Sequence, residues 1–191
     1  MRFFTSDTHF FHYNIIGYCG RPFKDQYHMN EILIANWNRV VGPEDTVYHL
    51  GDFAMGGAGK IAEVFQRLSG KKRFLKMGNH DKGKNRYKNA GFDAVIRGDS
   101  RTDLTLGDDI RVQLSHYPYR KQFNDGVEQK SRRWEQAPED DGGILLCGHI
   151  HEKWKLNGRM INVGVDVWDF TPVSEDQLVQ FIKDNNIRSL K

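Results

Sequence analysis

Apolar segments and helical patterns alternate along the first half of the chain. Apolar runs at 1–6, 46–50 and 72–77 have the length and composition of buried strands. Two segments between them carry apolar residues at helical spacing: Met29, Ile32, Leu33, Trp37 and Val40 in the first, and Ile61, Val64, Phe65 and Leu68 in the second. Gly42-Pro43 and Gly70 end these two patterns. The alternation predicts strands connected by helices.

The second half of the chain contains consecutive strands instead. Segments 93–96, 103–106 and 110–114 are predicted strands, and Gly107-Asp108-Asp109 has the composition of a hairpin turn. Further strands are predicted at 144–147 and 159–163. The sequence Ser174-Glu175-Asp176-Gln177 has the capping-box form that begins a closing helix. This change of pattern predicts an α/β (α+β) fold with two sheets.

A polar segment interrupts the second half. Residues 120–141 show almost no apolar periodicity and include Lys121, Lys130, Arg132 and Arg133. We predict a surface excursion here, with one short helix near Trp134. A basic cluster of this kind is more often a solvated face than a nucleic-acid contact, and both interpretations stay open.

Five short polar motifs stand out against the apolar pattern, and most of them directly follow a predicted strand. In parallel sheets with helical connections, ligands gather at the carboxyl ends of the strands. We therefore expect the motifs to converge on one site. They are Asp7-Thr8-His9, Gly51-Asp52, Gly78-Asn79-His80-Asp81, His116, and Gly148-His149-Ile150-His151.

Composition narrows the class of protein without identifying it. The 191 residues favour one domain, 1–191, and a net charge of +3 is too small to indicate nucleic acid by itself. No apolar run is long enough to span a bilayer, and the N-terminus runs into Asp7 without the features of a signal peptide. Cys19 and Cys147 do not suggest a disulfide framework. These features predict a cytoplasmic protein that does not bind membranes.

The motifs supply oxygen and nitrogen ligands. Imidazole and carboxylate together suit manganese, iron or zinc, whereas magnesium or calcium prefers oxygen alone. The seven candidates exceed the needs of one metal, so we expect two adjacent ions, about 3.5–4 Å apart, of the kind that act on phosphate esters. Asp52, isolated after a glycine, is the candidate bridge. The seven are Asp7, His9, Asp52, Asn79, His116, His149 and His151.

In this order, the motifs resemble the calcineurin-like metallophosphoesterase superfamily, and the resemblance extends from residue 5 to residue 151. It implies a two-sheet β-sandwich flanked by helices, with a dinuclear centre of two divalent ions. We expect manganese first, with iron, zinc, nickel or magnesium as alternatives. The resemblance implies that Asp7, His9 and His151 hold the first metal and Asn79, His116 and His149 the second. Asp52 would bridge the two.

The same resemblance implies a mechanism. A metal-bridging hydroxide would attack phosphorus in line, without a covalent intermediate. His80 would protonate the leaving oxygen or stabilise charge on the phosphoryl group, and Asp81 would orient it.

A small bacterial and phage branch of the superfamily is the closer resemblance. The stretch from Phe4 to Phe10, followed by His12, Asn14-Ile15-Ile16 and Arg21-Pro22-Phe23, is similar to that branch. Phe11 departs from it, because glycine is expected there. The protein phosphatase branch fits less well, because its arginine after Gly-Asp is missing.

The sequence also offers candidate residues for substrate binding. His12, Arg21 and Tyr117 are candidate substrate-binding residues, although Arg21 could instead pair with a carboxylate and pin its loop. The short aromatic segment 10–23 suits the stacking of a base. We therefore expect a phosphodiesterase for nucleotides or cyclic nucleotides, with a phosphate-ester small molecule as partner. A nuclease, a phosphomonoesterase acting on protein or small molecules, and, remotely, a non-catalytic scaffold are the alternatives. The oligomeric state is not indicated.

Overall fold

The computed structural model describes residues 1–120 and 136–190. Its first sheet is mixed and has the order β10-β1-β2-β3-β4. Strands β1 to β4 are parallel, and β10 pairs antiparallel with β1 so that Phe3 lies opposite Ser174. The strands are β1 (Arg2–Thr5), β2 (Thr46–His49), β3 (Lys72–Lys76), β4 (Ala94–Ile96) and β10 (Val173–Ser174).

The second sheet is also mixed, with the order β5-β6-β7-β9-β8. Its three inner strands are parallel and its two edge strands antiparallel. The strands are β5 (Asp103–Thr105), β6 (Arg111–Leu114), β7 (Ile144–Cys147), β8 (Leu156–Asn157) and β9 (Met160–Asn162). Two sheets with flanking helices confirm the predicted fold class. The hairpin predicted at 107–109 joins β5 to β6, as expected.

The described residues contain five α-helices. Asp25 begins α2 by accepting hydrogen bonds from the backbone N–H groups of Tyr27 and His28. Ser174 and Gln177 form the predicted capping box of α5. The helices are α1 (Tyr13–Tyr18), α2 (Gln26–Val40), α3 (Ala58–Arg67), α4 (Lys84–Ala90) and α5 (Glu175–Asp184). Helices α1 and α4 were not predicted, because each buries a single residue, Ile15 or Tyr87, and so has no apolar stripe.

Two cores lie on the two faces of the first sheet. Phe4 packs with Leu114, Leu146 and other residues of the second sheet. Its neighbour Phe3 packs instead with the apolar residues of α2 and α3. Successive side chains of a strand point to opposite faces, so a strand that is covered on both sides is apolar throughout. This explains the continuous apolar run at the N-terminus.

The two sheets meet at the carboxyl ends of their parallel strands. Ser6, which follows β1, pairs with Gly164, which follows β9. The backbone N–H of Val165 donates to the carbonyl of Ser6 over 3.1 Å. The loops that leave β1, β2 and β3 are therefore brought against the loops that leave β6 and β7.

Two predictions depend on other parts of the chain. Residues 121–135 lie outside the described residues. They include the helix expected near Trp134 and the basic residues Lys121, Lys130, Arg132 and Arg133. Among the helices that the structure describes, none combines the length and hydropathy needed to cross a membrane.

Candidate metal centre

The five motifs converge where the two sheets meet. Their side chains form two groups in which one ligand atom from each residue lies within 4.8 Å of the others. One group contains Asp7, His9 and His151, and the other contains Asp52, His116 and His149. Each group combines residues from loops of both sheets.

Asp52 lies between the two groups. Its Oδ2 is 3.5 Å from His9 Nε2 and also 3.5 Å from His116 Nε2. Asn79 joins the second group, since its Oδ1 lies 3.2 Å from His116 Nε2. The seven predicted ligands are thus brought together, with one carboxylate placed to be shared.

The backbone of these loops is strained. A positive φ is uncommon for residues other than glycine and costs on the order of 1–3 kcal/mol each. Such conformations persist where the surrounding structure enforces them, and they cluster at functional sites. Five of the seven candidate ligands have one: Asp7, His9, Asp52, His149 and His151, with φ of 57°, 50°, 57°, 72° and 49°.

Glycines allow the loops to approach each other. A Cβ on Gly78 would lie 2.3 Å from Asp52 Oδ1, and a Cβ on Gly148 would lie 2.4 Å from Asp7 Oδ2. Atoms do not approach so closely without a shift of the backbone. The glycines of the Gly-Asn-His-Asp and Gly-His-x-His motifs are therefore needed to bring the carboxylates against neighbouring loops.

The buried donor atoms are only partly satisfied. Asp7 and His9 are 0% and 1% exposed, yet Asp7 Oδ1 and His9 Nε2 have no hydrogen-bond partner. A buried polar atom without a partner is costly, and native structures rarely leave one without a reason. Both atoms belong to the first group, and carboxylate oxygen with imidazole nitrogen is a donor set for divalent metals. The residues present therefore fit a metal ion.

The charges within the cluster depend on one another. Burial opposes ionisation of Asp52, but the His116 and His9 rings outweigh it and hold the pKa of Asp52 well below its ordinary value. Conversely, burial would lower the pKa of His116, but Asp52 and Asp7 raise it to about 9. A buried carboxylate thus depends on nearby positive charge, which a divalent cation supplies.

Contacts outside the cluster fix the histidine rings. His116 Nδ1 lies 2.8 Å from the carbonyl oxygen of Leu50, so this nitrogen donates to the backbone and Nε2 faces Asn79 and Asp52. His151 Nδ1 lies 3.3 Å from Asp166 Oδ2. Ligating histidines are typically oriented by such partners on their other ring nitrogen.

The candidate substrate-binding residue Arg21 makes all of its described contacts within the protein. Its side chain is fully buried and its guanidinium donates to both carboxylate oxygens of Asp166, over 2.7 and 2.8 Å. It also donates to the carbonyl oxygens of Asp7 and Thr8, over 2.7 and 3.1 Å. Arg21 therefore pins its loop to the strand tip that carries Asp7, which was the alternative interpretation.

Two further predicted positions have different surroundings. Tyr117 is fully buried, with its hydroxyl 3.5 Å from Asn79 Oδ1 and its ring against His116 and His149. Tyr117 thus packs against the second group and also contributes to the lining of a cleft beside Asn79, and its substrate contact stays a prediction. His12 is half-buried beside His9 and His80, at the edge of the site.

The side chains of His80 and Asp81 have different surroundings. The His80 ring is half-buried, 5.2 Å from the His9 ring by centroids, and its backbone N–H donates to Asp52 Oδ1 over 2.8 Å. Asp81 is buried and accepts from the backbone N–H groups of Asp52, Gly78 and Phe53. Within 1–120 and 136–190, the described hydrogen bonds of the Asp81 carboxylate therefore go to the loop of Asp52 and to Gly78, and its orientation of His80 stays a prediction.

Several residues beside the ligand groups lie outside the sequence motifs. Asp166 is one of these residues, because nothing in the sequence links it to Arg21. A cleft of about 380 Å³ opens beside Asn79, and Arg97 and Gln136 contribute to its lining. Neither residue lies in a motif, so no sequence signal marked them. A larger cavity of about 1230 Å³, lined in part by Arg101 and Arg188, contains none of the clustered ligands.

A third set of potential ligands adjoins the first group. Cys19, His151 and Asp166 also present donor atoms within 4.8 Å of one another. The Asp166 carboxylate is already neutralised by the two hydrogen bonds from Arg21. These atoms therefore support His151 and are not suited to a further cation.

The chain matches a known family along most of its length. The sequence profile of the calcineurin-like phosphoesterases matches residues 3–153. The chain belongs to this family. Calcineurin-like phosphoesterases are metal-dependent hydrolases of phosphoester bonds, which agrees with the two groups of ligands.

Relatives come from archaea, phages and bacteria. An uncharacterized protein of Methanocaldococcus jannaschii is 31% identical over 97% of this chain and 93% of its own. The Gene 66 protein of Mycobacterium phage D29 is 33% identical over 90% of this chain and 92% of its own. The crystal structure of a protein of unknown function from Aquifex aeolicus has a TM-score of 0.73 and 32% identity, covering 95% of this chain and 99% of that one. The predicted kinship with a bacterial and phage branch of this family is confirmed.

Proposed function

We propose that this phosphoesterase is a phosphodiesterase that acts on nucleotides or cyclic nucleotides and uses two divalent ions, manganese first among them. The placement of Asp52 carries the proposal, with Oδ2 3.5 Å from one histidine of each ligand group. Asp7, His9 and His151 would hold one ion, and Asn79, His116 and His149 the other. Two bound ions would supply an activated water and neutralise charge on the phosphoryl group.

His80 is proposed to supply the proton to the leaving oxygen. Its ring lies beside those of His9 and His12, at 5.2 and 5.8 Å between centroids, so it faces the first ligand group. Asp52 Oδ1 accepts the hydrogen bond from the His80 backbone and holds the residue in place. A half-buried imidazole at the edge of a buried cluster can exchange protons with solvent and with substrate.

Exposed aromatic side chains support a nucleotide as substrate. Tyr18 in α1 is 73% exposed, and its ring is 6.5 Å from the ring of His12 between centroids. An aromatic ring beside the site can stack on a base, worth about 1–3 kcal/mol. The whole aromatic segment 10–23 was expected to suit base stacking, but Phe10, Phe11 and Phe23 are buried and cannot serve this purpose.

The first experiment compares bis-para-nitrophenyl phosphate with para-nitrophenyl phosphate, with Mn²⁺ and with chelator. Manganese-dependent cleavage of the diester is expected. Cleavage of the monoester alone would indicate a phosphomonoesterase, and inactivity on both with two metals bound would favour a scaffold or a demanding substrate. Cleavage confined to DNA or RNA, with steep salt dependence, would indicate a nuclease.

Variants then test the roles of single residues. His80→Ala is expected to keep its metal content while kcat falls by about 10²–10⁴-fold, as for the loss of a general acid. Tyr18→Ala is expected to raise KM for nucleotide diesters, whereas Tyr27→Ala, at a 62% exposed tyrosine of α2, serves as the control.

The cytoplasmic location and the single domain 1–191 stay predictions.

A further inference from the structure

We propose that His12 is a positioning residue, which holds the His9 imidazole in the tautomer that leaves Nε2 free for the first metal. The proposal rests on the metal-binding role of His9 proposed above. It assigns to His12 a task within the protein that is distinct from the substrate contact predicted from the sequence.

The contact between the two rings is specific. His9 Nδ1 lies 3.1 Å from His12 Nδ1, within hydrogen-bond distance. The backbone N–H of His12 also donates to the carbonyl of His9, over 3.0 Å. The two residues are therefore tied twice across one tight turn, which restricts the position of the His12 ring relative to His9.

The surroundings of His9 select the direction of this hydrogen bond. Its Nε2 has no hydrogen-bond partner, and Asp52 Oδ2 is 3.5 Å away, too far for a normal bond. A neutral imidazole carries one proton, which is placed better on the nitrogen that has an acceptor. His9 therefore donates from Nδ1, His12 Nδ1 accepts, and the lone pair of His9 Nε2 points into the ligand group.

This assignment also defines the state of His12. Since its Nδ1 accepts, its single proton lies on Nε2. Two other proposed metal ligands have a comparable partner on one ring nitrogen. For His116 the partner is the carbonyl of Leu50, and for His151 it is Asp166.

The test is calorimetric titration of the metal-free protein with Mn²⁺, in three variants. His12→Leu removes the acceptor and is expected to weaken one of the two sites by about 10–100-fold, the usual effect of losing such a partner. His12→Asn places an oxygen near the position of Nδ1 and is expected to recover most of that affinity. His28→Leu changes another half-buried histidine, whose Nδ1 accepts from the backbone N–H of Lys24, and is expected to leave both sites unchanged.

A second measurement separates positioning from folding. The melting temperatures of the metal-free variants are expected to match the wild type. If His12→Leu binds two Mn²⁺ as tightly as the wild type, the inference is overturned. Equal losses in the Leu and Asn variants, together with lower melting temperatures, would also overturn it by showing a merely structural role. A wild-type protein that binds fewer than two Mn²⁺ would instead contradict the proposed function itself.

Discussion

The two halves of the candidate metal centre are alike in ligands but differ in how their histidines are held. In the first half, His9 and His151 contact the side chains of His12 and Asp166. In the second half, His116 is held by a backbone carbonyl, that of Leu50 at the end of β2. A carbonyl at a strand tip is fixed by the sheet itself, whereas a side chain such as that of Asp166 must itself be held in place by further contacts.

The difference shows which half of the centre is open to change. Asp166 in turn accepts hydrogen bonds from Arg21, which lies 145 residues away in sequence. The supports of the first half therefore come from the loop before α2 and from the segment after β9, while the described support of His116 is a backbone carbonyl that directly follows β2. We expect substitutions outside the ligand set to affect the first half more.

Asp52→Asn should have the largest effect, because it alone damages both halves. The amide keeps the shape but lacks the charge that two cations would share, so kcat/KM for a diester should fall on the order of 10³-fold or more. Metal content should fall as well. The control is Asp108→Asn, at a solvent-exposed carboxylate paired with Lys183. Full activity of Asp52→Asn would contradict the bridging role.

Asp166→Leu should break the first half alone. It leaves the guanidinium of Arg21 buried without its partner, which costs about 3–5 kcal/mol of unfolding free energy. Denaturant unfolding of the metal-free protein measures this. The double variant Arg21→Met/Asp166→Leu removes the buried charge and should regain most of the stability but not the affinity for the first metal. Recovery of both would show that Asp166 does not orient His151.

Gly148→Ala tests the packing between the halves. The added Cβ would lie 2.1 Å from Ser6 Oγ and 2.4 Å from Asp7 Oδ2, so the loops must separate. A loss of about 1–3 kcal/mol in stability is expected, with weaker metal binding. Gly59→Ala in α3 is the matched control, since nothing lies within 4 Å of its added Cβ. It should be neutral or slightly stabilising.

Tyr117→Phe should have the smallest effect. The hydroxyl is 3.5 Å from Asn79 Oδ1, a weak contact, and the ring that packs on His116 and His149 is retained. We expect less than about a tenfold loss of affinity for the second metal, because the contact with Asn79 is a weak hydrogen bond. A larger loss, measured by the same titration, would show that the second half also depends on side-chain support.

The sequence predicted the parts of the fold that have a local signature. Phe3 and Phe4 marked a strand buried on both faces, and Ser174 and Gln177 marked the start of α5. Strands β8 and β10 were missed because each has two residues and is defined by its partner strand. Local periodicity carries no signal for such short elements.

The candidate site likewise has one part that the sequence predicts and another that it does not. Its seven proposed ligands could be named because they follow apolar strands, and the structure brings them together. Their roles stay predictions. The environments of Arg21 and Tyr117 could not be predicted, because burial and pairing arise from contacts between distant segments. Arg21 meets Asp166 only after both sheets have formed.

Anomalous diffraction from crystals soaked in Mn²⁺ tests the central claim most directly. Two peaks are expected, one bounded by Asp7, His9 and His151 and the other by Asn79, His116 and His149, with Asp52 contacting both. A single peak, or two peaks that do not share Asp52, would contradict the account.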